Sequence, residues 1–317
     1  MSDPRRIDVH QHTLPPRYAD WLRTAGIGDA GGRALPDWSA PAALAMMDEI
    51  GTATGILSVS APATVPARDA EEASRIAREV NDYSAELVKD RPDRFGFFAT
   101  VPLPHVHDAA AEAGRALDEL GADGVILLAN VGGTYLGQPE HEELFAELNR
   151  RAAVVFIHPT ELPGPSVPGI VPFAADFLLD TSRAAYLLVR NEVCRRYPQI
   201  KVILSHAGGF VPYAAHRMAM GMAQDPGRDP RESLEDLSNF YFDTALSGTP
   251  SALPSLLAFA KPGHVLFGSD WPFAPPEVVR YFTDGLDAYP GTPGDDAINR
   301  DSALVLFPRL AADGGVR

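Results

Sequence analysis

The chain has 317 residues, 45% of them hydrophobic, a size and composition that allow one large α/β barrel with a sizeable core. Lysines and arginines total 27 against 42 aspartates and glutamates, a net charge of −15 that argues against nucleic acid or an anionic membrane as partner. Only 3 of the basic residues are Lys, so recognition of an anion falls to guanidinium groups, and the single cysteine, Cys194, excludes an internal disulfide or a zinc knuckle.

No apolar stretch follows Arg5-Arg6 and no run of about 18 apolar residues occurs, so a cytoplasmic location is expected. Short β-branched apolar runs recur along the chain: Ile7–His10, Gly55–Ser60, Phe95–Val101, Gly124–Leu128, Val154–His158, Val202–His206, Phe240–Ala245 and Val265–Ser269. Helical patterns follow them near 41–50, 67–90, 107–120, 139–152, 174–197, 211–222, 250–260 and 275–289. Eight strands alternating with eight helices predict a (β/α)₈ TIM barrel occupying 1–317 as one domain. A doubly wound sheet is the alternative, but no GxGxxG follows the first strand. Three longer connections, 13–40, 159–173 and 223–238, are expected as insertions, the first two walling or covering the mouth of the barrel.

Asp8-Val9-His10-Gln11-His12 places two imidazoles two residues apart on a strand, where both point to one face. Three further strands end in titratable groups: Phe156-Ile157-His158-Pro159, Leu204-Ser205-His206-Ala207-Gly208-Gly209 and Gly268-Ser269-Asp270-Trp271-Pro272. One such histidine would pass for a core residue, but four such strand ends together point to a site. Imidazoles with a carboxylate suit zinc or another borderline divalent ion, leaving a position open for substrate. Asp8 stands in line behind both histidines as a candidate to orient one of them.

In these motifs the chain resembles the amidohydrolase superfamily over most of its length, and within it the decarboxylase branch typified by aminocarboxymuconate-semialdehyde decarboxylase. The resemblance implies that His10, His12, His158 and Asp270 bind one metal ion, zinc first and manganese second, with His206 beside it as acid/base and Asp270 also accepting a proton. Lys89, Lys201 and Lys261 all lie away from predicted strand ends, which leaves no carbamylated lysine to bridge two ions. Gly209 stands where hydroxybenzoate decarboxylases of the branch tend to carry Glu. Arg217 corresponds to an arginine that family members lend to a neighbouring subunit's substrate carboxylate, so a homodimer is expected. Ala43 and Ala45 occupy the stretch where the semialdehyde decarboxylase carries a second arginine, which turns the expected substrate toward a methylsalicylate-type acid.

Trp271 and Phe273 are candidates to wall an aromatic substrate, and Arg183 either faces the pocket or forms a surface ion pair. His105, His107, His141, His216 and His264 are read as solvated or structural, and Cys194 as a small buried side chain. The expected activity is non-oxidative decarboxylation of a small aromatic or unsaturated carboxylic acid. Two rivals stand beside it: a hydrolase of a lactone, ester or amide using the same groups, and a catalytically dead barrel that serves as a scaffold.

Overall fold

Eight parallel strands pair in chain order in the computed structural model, which describes residues 5–292 and 296–314. They are β1 (Arg6–His12), β2 (Thr52–Ser58), β3 (Phe95–Thr100), β4 (Gly124–Leu128), β5 (Val154–His158), β6 (Lys201–Leu204), β7 (Tyr241–Asp243) and β8 (Val265–Leu266). The sheet closes where the Val9 N–H donates to Phe267 O at 3.0 Å, the Asp270 N–H to His10 O at 2.8 Å and the His12 N–H to Trp271 O at 2.7 Å. The outer helices are α1 (Ala40–Glu49), α2 (Ala70–Asp90), α3 (Val106–Asp118), α4 (Glu142–Arg150), α5 (Asp176–Arg190), α6 (Val211–Met222), α7 (Leu253–Phe259) and α8 (Pro276–Asp287). The expected TIM barrel is therefore the observed fold.

Strand alternation divides the core into two layers. Ile126, Phe156, Ile203 and Tyr241 face one another in register inside the barrel, and Phe307 and Leu310 from the C-terminal segment join that cluster. Val125, Val155, Ile157 and Leu204 point outward against helix residues such as Leu144, Ala184 and Leu188. Both faces of these strands are buried, which is why they read as continuous apolar runs.

The insertions hold more structure than the sequence pattern predicted. Segment 13–40 contains a helix, Pro16–Thr24, and a hairpin of Asp29–Ala30 with Arg33–Ala34. Gly31 and Gly32 turn it with φ of 59° and 78°, values open to glycine and strained for other residues. Segment 223–238 contains a helix, Pro230–Ser238, whose first turn is capped by Asp229 accepting from the Arg231 N–H at 2.8 Å. Asp-Pro at a helix start was the available signal. The pattern over 174–197 breaks at Glu192, which adopts a left-handed φ of 58°. Among the described residues no helix is long and apolar enough to cross a membrane.

Candidate metal centre

The C-terminal ends of β1, β5, β6 and β8 bring four imidazoles and one carboxylate together under the mouth of the barrel. One donor atom from each of His10, His158, His206 and Asp270 lies within 4.8 Å of all the others, and all four residues are buried. His12 closes on the same group: its Nε2 stands 3.1 Å from His10 Nε2 and 3.2 Å from Asp270 Oδ1. Phe156 forms the floor, with the His10 ring edge-on at 4.9 Å. His206 and Asp270 sit at φ of 53° and 63°, backbone strain that the surrounding hydrogen bonds must hold.

Three of the imidazoles have their tautomer set from behind. His10 Nδ1 donates to Asp243 Oδ2 at 2.7 Å, His158 Nδ1 to Pro159 O at 2.7 Å and His12 Nδ1 to Ser58 O at 3.2 Å. Asp243, Pro159 O and Ser58 O can only accept, which favours the proton on Nδ1 and leaves the Nε2 lone pair to the cluster, although the Ser58 hydroxyl also lies 3.2 Å from His12 Nδ1. Those lone pairs face the Asp270 carboxylate, whose Oδ1 is 3.2 Å from both His10 Nε2 and His12 Nε2. Lone pairs and a carboxylate packed together need a positive charge between them. This buried donor set suits a divalent metal ion with imidazole and carboxylate ligands.

The electrostatics express the same need. Burial works against a proton on His10, but the Asp243 carboxylate overrides it and raises the imidazole to about 10. Burial lowers His12 and holds His158 well below the usual imidazole range, with the neighbouring histidines adding to the effect on His158. Burial opposes ionisation of Asp270 as well, yet its close contacts with His10, His12 and His206 keep its carboxyl well below the usual range. His206 differs from the other three: its buried Nδ1 has no hydrogen-bond partner, and its Nε2 lies 3.7 Å from Asp270 Oδ2.

A cavity of about 540 Å³ opens above the cluster, lined by His158, His206 and Asp270 below and by Phe177 and Phe273 at the side. It is the size of a small-molecule site. Phe273 stands where the sequence placed it and meets the His12 ring edge-on at 5.4 Å. Trp271 does not: it is 5% exposed and packs in the outer core, away from the cavity lining. Among the described residues Asp8 makes no hydrogen bond to an imidazole ring. It accepts from the His10 N–H at 3.0 Å, the Ser269 N–H at 3.1 Å and the Ser269 hydroxyl at 2.6 Å, so it ties β1 to the turn carrying Asp270; burial pushes it up to about 7.

Arg217 is exposed on α6 and lies outside the cavity of its own chain. Arg183 is likewise outside it, donating to the Tyr135 hydroxyl at 3.3 Å. His107 pairs with Glu143 in solvent, His264 stacks on Tyr241 at 4.0 Å, and His105, His141 and His216 also lie outside the cluster. Two groups escaped the sequence reading. Asp243 ends β7 as a buried carboxylate, and its signal was its position at a strand end, the same one that marked His158. Arg33 lines the cavity from the first insertion, where only the paired glycines announced a turn.

A (β/α)₈ barrel with this donor set at the C-terminal ends of its strands defines a metal-dependent barrel enzyme. The amidohydrolase family model matches residues 7–301, and the chain belongs to that family. Decarboxylase yanB of Aspergillus niger is 40% identical to it, over 98% of this chain and 90% of that protein. A 6-methylsalicylic acid decarboxylase of Penicillium expansum is also 40% identical, over 96% of this chain and 97% of its own length. Among solved structures, one described as amidohydrolase II superposes with a TM-score of 0.89 at 31% identity, covering 96% of this chain and 99% of that one. The superfamily and the decarboxylase branch expected from the motifs are both borne out.

Proposed function

We propose that this protein removes CO₂ from a small aromatic acid of the 6-methylsalicylate type, with His10, His12, His158 and Asp270 holding one divalent cation, zinc first and manganese second. The observation that carries this reading is the contrast among the imidazoles. Three have Nδ1 engaged, and His206, which lines the cavity, alone has a buried Nδ1 without a hydrogen-bond partner. A ring with no fixed tautomer can take a proton at one nitrogen and release it at the other. The relatives named as decarboxylases support the reaction class.

A bound divalent cation would draw negative charge from a substrate oxygen. The residues of the chain do the rest. His206 delivers a proton to the ring carbon that bears the carboxylate; the bond from that carbon to the carboxylate then breaks, its electron pair stays with the ring, and CO₂ leaves. Asp270, kept ionised by its three imidazole neighbours, steadies the positive charge on His206 before the transfer. Phe177 and Phe273 narrow the cavity to a planar ring and displace water from it.

Arg217 is proposed to serve a neighbouring copy in a homodimer. It is exposed on α6 beside Tyr213 and Met220, which are 86% and 59% exposed. Cytoplasmic residence fits the single cysteine, a partly buried residue whose thiol is pushed up to about 12 by desolvation. Metal-loaded protein offered a panel of hydroxybenzoates tests the function. Release of CO₂ with formation of the matching phenol is expected, and hydrolysis of lactones or amides without CO₂ would overturn it.

A further inference from the structure

We infer that Arg33 reads the negative charge of the substrate, an inference that deepens the proposed decarboxylase reading and rests on it. Arg33 enters the cavity from the hairpin Asp29–Ala30/Arg33–Ala34, and among the described residues that line the cavity it is the one lysine or arginine. The chain carries a net charge of −15, and Asp270 adds a carboxylate inside the site. An organic anion approaching such a surface is drawn by local positive charge, and Arg33 supplies it at the cavity wall, apart from the cation proposed at the cavity base.

The guanidinium is held but not spent. Its carbon stands 4.3 Å over the Phe173 ring, so one face of the group is stacked. The five N–H donors lie in the guanidinium plane, where stacking leaves them free, and among the described residues they meet no carboxylate partner. A planar fork with unused donors at a cavity wall is suited to a carboxylate or phenolate.

Its position depends on two parts of the chain meeting. Gly31 packs against the tip of the Phe177 ring, where an added Cβ would come within 2.3 Å of Cζ, and Gly32 packs on Val171 and Pro172. The Phe173 N–H donates to Gly31 O at 3.3 Å. The two insertions expected to wall the mouth thus form one wall, and Arg33 is the charge they present to the cavity.

The test compares binding of 6-methylsalicylate with binding of 3-methylphenol, the same ring without its carboxylate, by calorimetry on metal-loaded protein. The wild type should prefer the acid, and this preference should weaken as salt is added. Arg33→Gln should lose about 10- to 100-fold in affinity for the acid, the range for a hydrogen bond to a charged group, with the phenol changed less than about twofold. Arg33→Lys should restore part of the preference, since the charge returns without the fork. Equal weakening of both ligands in Arg33→Gln would mean a purely structural role and would overturn the inference. So would a wild type that binds the acid no tighter than the phenol. Wild-type protein that shows the Arg33-dependent preference yet releases no CO₂ leaves the inference standing and overturns the decarboxylase reading. CO₂ release with an unchanged preference in Arg33→Gln does the reverse.

Discussion

Asp243 Oδ2 lies 2.7 Å from His10 Nδ1, and Asp243 Oδ1 accepts the His206 backbone N–H at 2.8 Å, so one carboxylate at the end of β7 places two imidazoles of the site. An asparagine at 243 can present its amide nitrogen to His10, which moves the imidazole proton to Nε2 and removes the lone pair aimed into the cluster. Asp243→Asn should therefore weaken metal affinity by about 10- to 100-fold, the usual effect of removing such a partner. Competition against a coloured chelator measures it. An unchanged affinity would show that the Asp243 contact does not set the His10 tautomer.

Metal uptake should release protons. Without an ion, His10 is raised to about 10 once Asp243 has overcome the opposing effect of burial, so it carries an extra proton at neutral pH. Burial keeps His12 and His158 unprotonated there, and Asp270 is already ionised through its imidazole neighbours. Binding at pH 7 should then expel about one proton, and apparent affinity should climb about tenfold per pH unit until near pH 10. The sign for stability follows from the same raised value. The proton on His10 stabilises the metal-free fold fully below the ordinary imidazole range, and this contribution fades as pH rises toward 10. Calorimetry in two buffers of different ionisation enthalpy counts the protons; a count of zero at pH 7 contradicts the assignment.

The barrel was legible because both of its periodicities are strong: runs such as Val154–His158 and the amphipathic segments between them survive without any tertiary information. The site was legible where a histidine or aspartate ended such a run. Asp243 ends one too, but Tyr241-Phe242-Asp243-Thr244-Ala245 has a strand-like pattern throughout, which hides the carboxylate inside an element. The fate of Asp8 was not readable, because the pairing of β1 with β2 slips between Asp8 and Gln11 and the simple two-residue alternation no longer says which way a side chain points. Arg33 was beyond the pattern for another reason: its place follows from Gly31 meeting Phe177 across about 145 residues of chain, and local sequence carries no trace of that contact.

His206→Asn should separate chemistry from metal binding. Its ring has the one unpartnered Nδ1 among the four imidazoles, so removing it takes away the proposed proton carrier while three fixed lone pairs and Asp270 remain. Turnover should fall by about 10²- to 10⁴-fold, the usual worth of a positioned acid/base. Metal content by elemental analysis should stay near that of the wild type. Loss of the metal together with activity would move His206 from proton carrier to ligand.

If Arg217 completes a neighbouring site, two inactive chains should rescue each other. Arg217→Ala and His206→Asn, refolded together, form hybrid dimers in which one site holds both an intact His206 and the partner's intact arginine. About a quarter of wild-type activity is then expected from random pairing, since half the dimers are hybrid and each has one whole site. Activity no higher than the sum of the separate variants would place Arg217 in its own chain's chemistry or outside it altogether.

Gly209, in the turn after β6, packs directly against α5. Its φ is 62°, and a Cβ there would lie 2.1 Å from Leu178 O and 2.9 Å from the Ser182 hydroxyl oxygen. Neither neighbour can yield easily, because Leu178 O accepts the Ser182 hydroxyl at 2.7 Å and Ser182 Oγ in turn accepts the Phe210 N–H at 2.8 Å. Left-handed backbone costs a residue with a side chain about 1–2 kcal/mol, and overpacking adds about 1–3. Gly209→Ala should thus destabilise the fold by about 2–5 kcal/mol, read as a lower urea midpoint with little change in slope. A glutamate at 209 would require α5 to stand further from β6 than it does here, so the glycine fixes the width of the cavity as well as the turn. A Gly209→Ala protein with an unchanged midpoint would show that α5 can shift without cost.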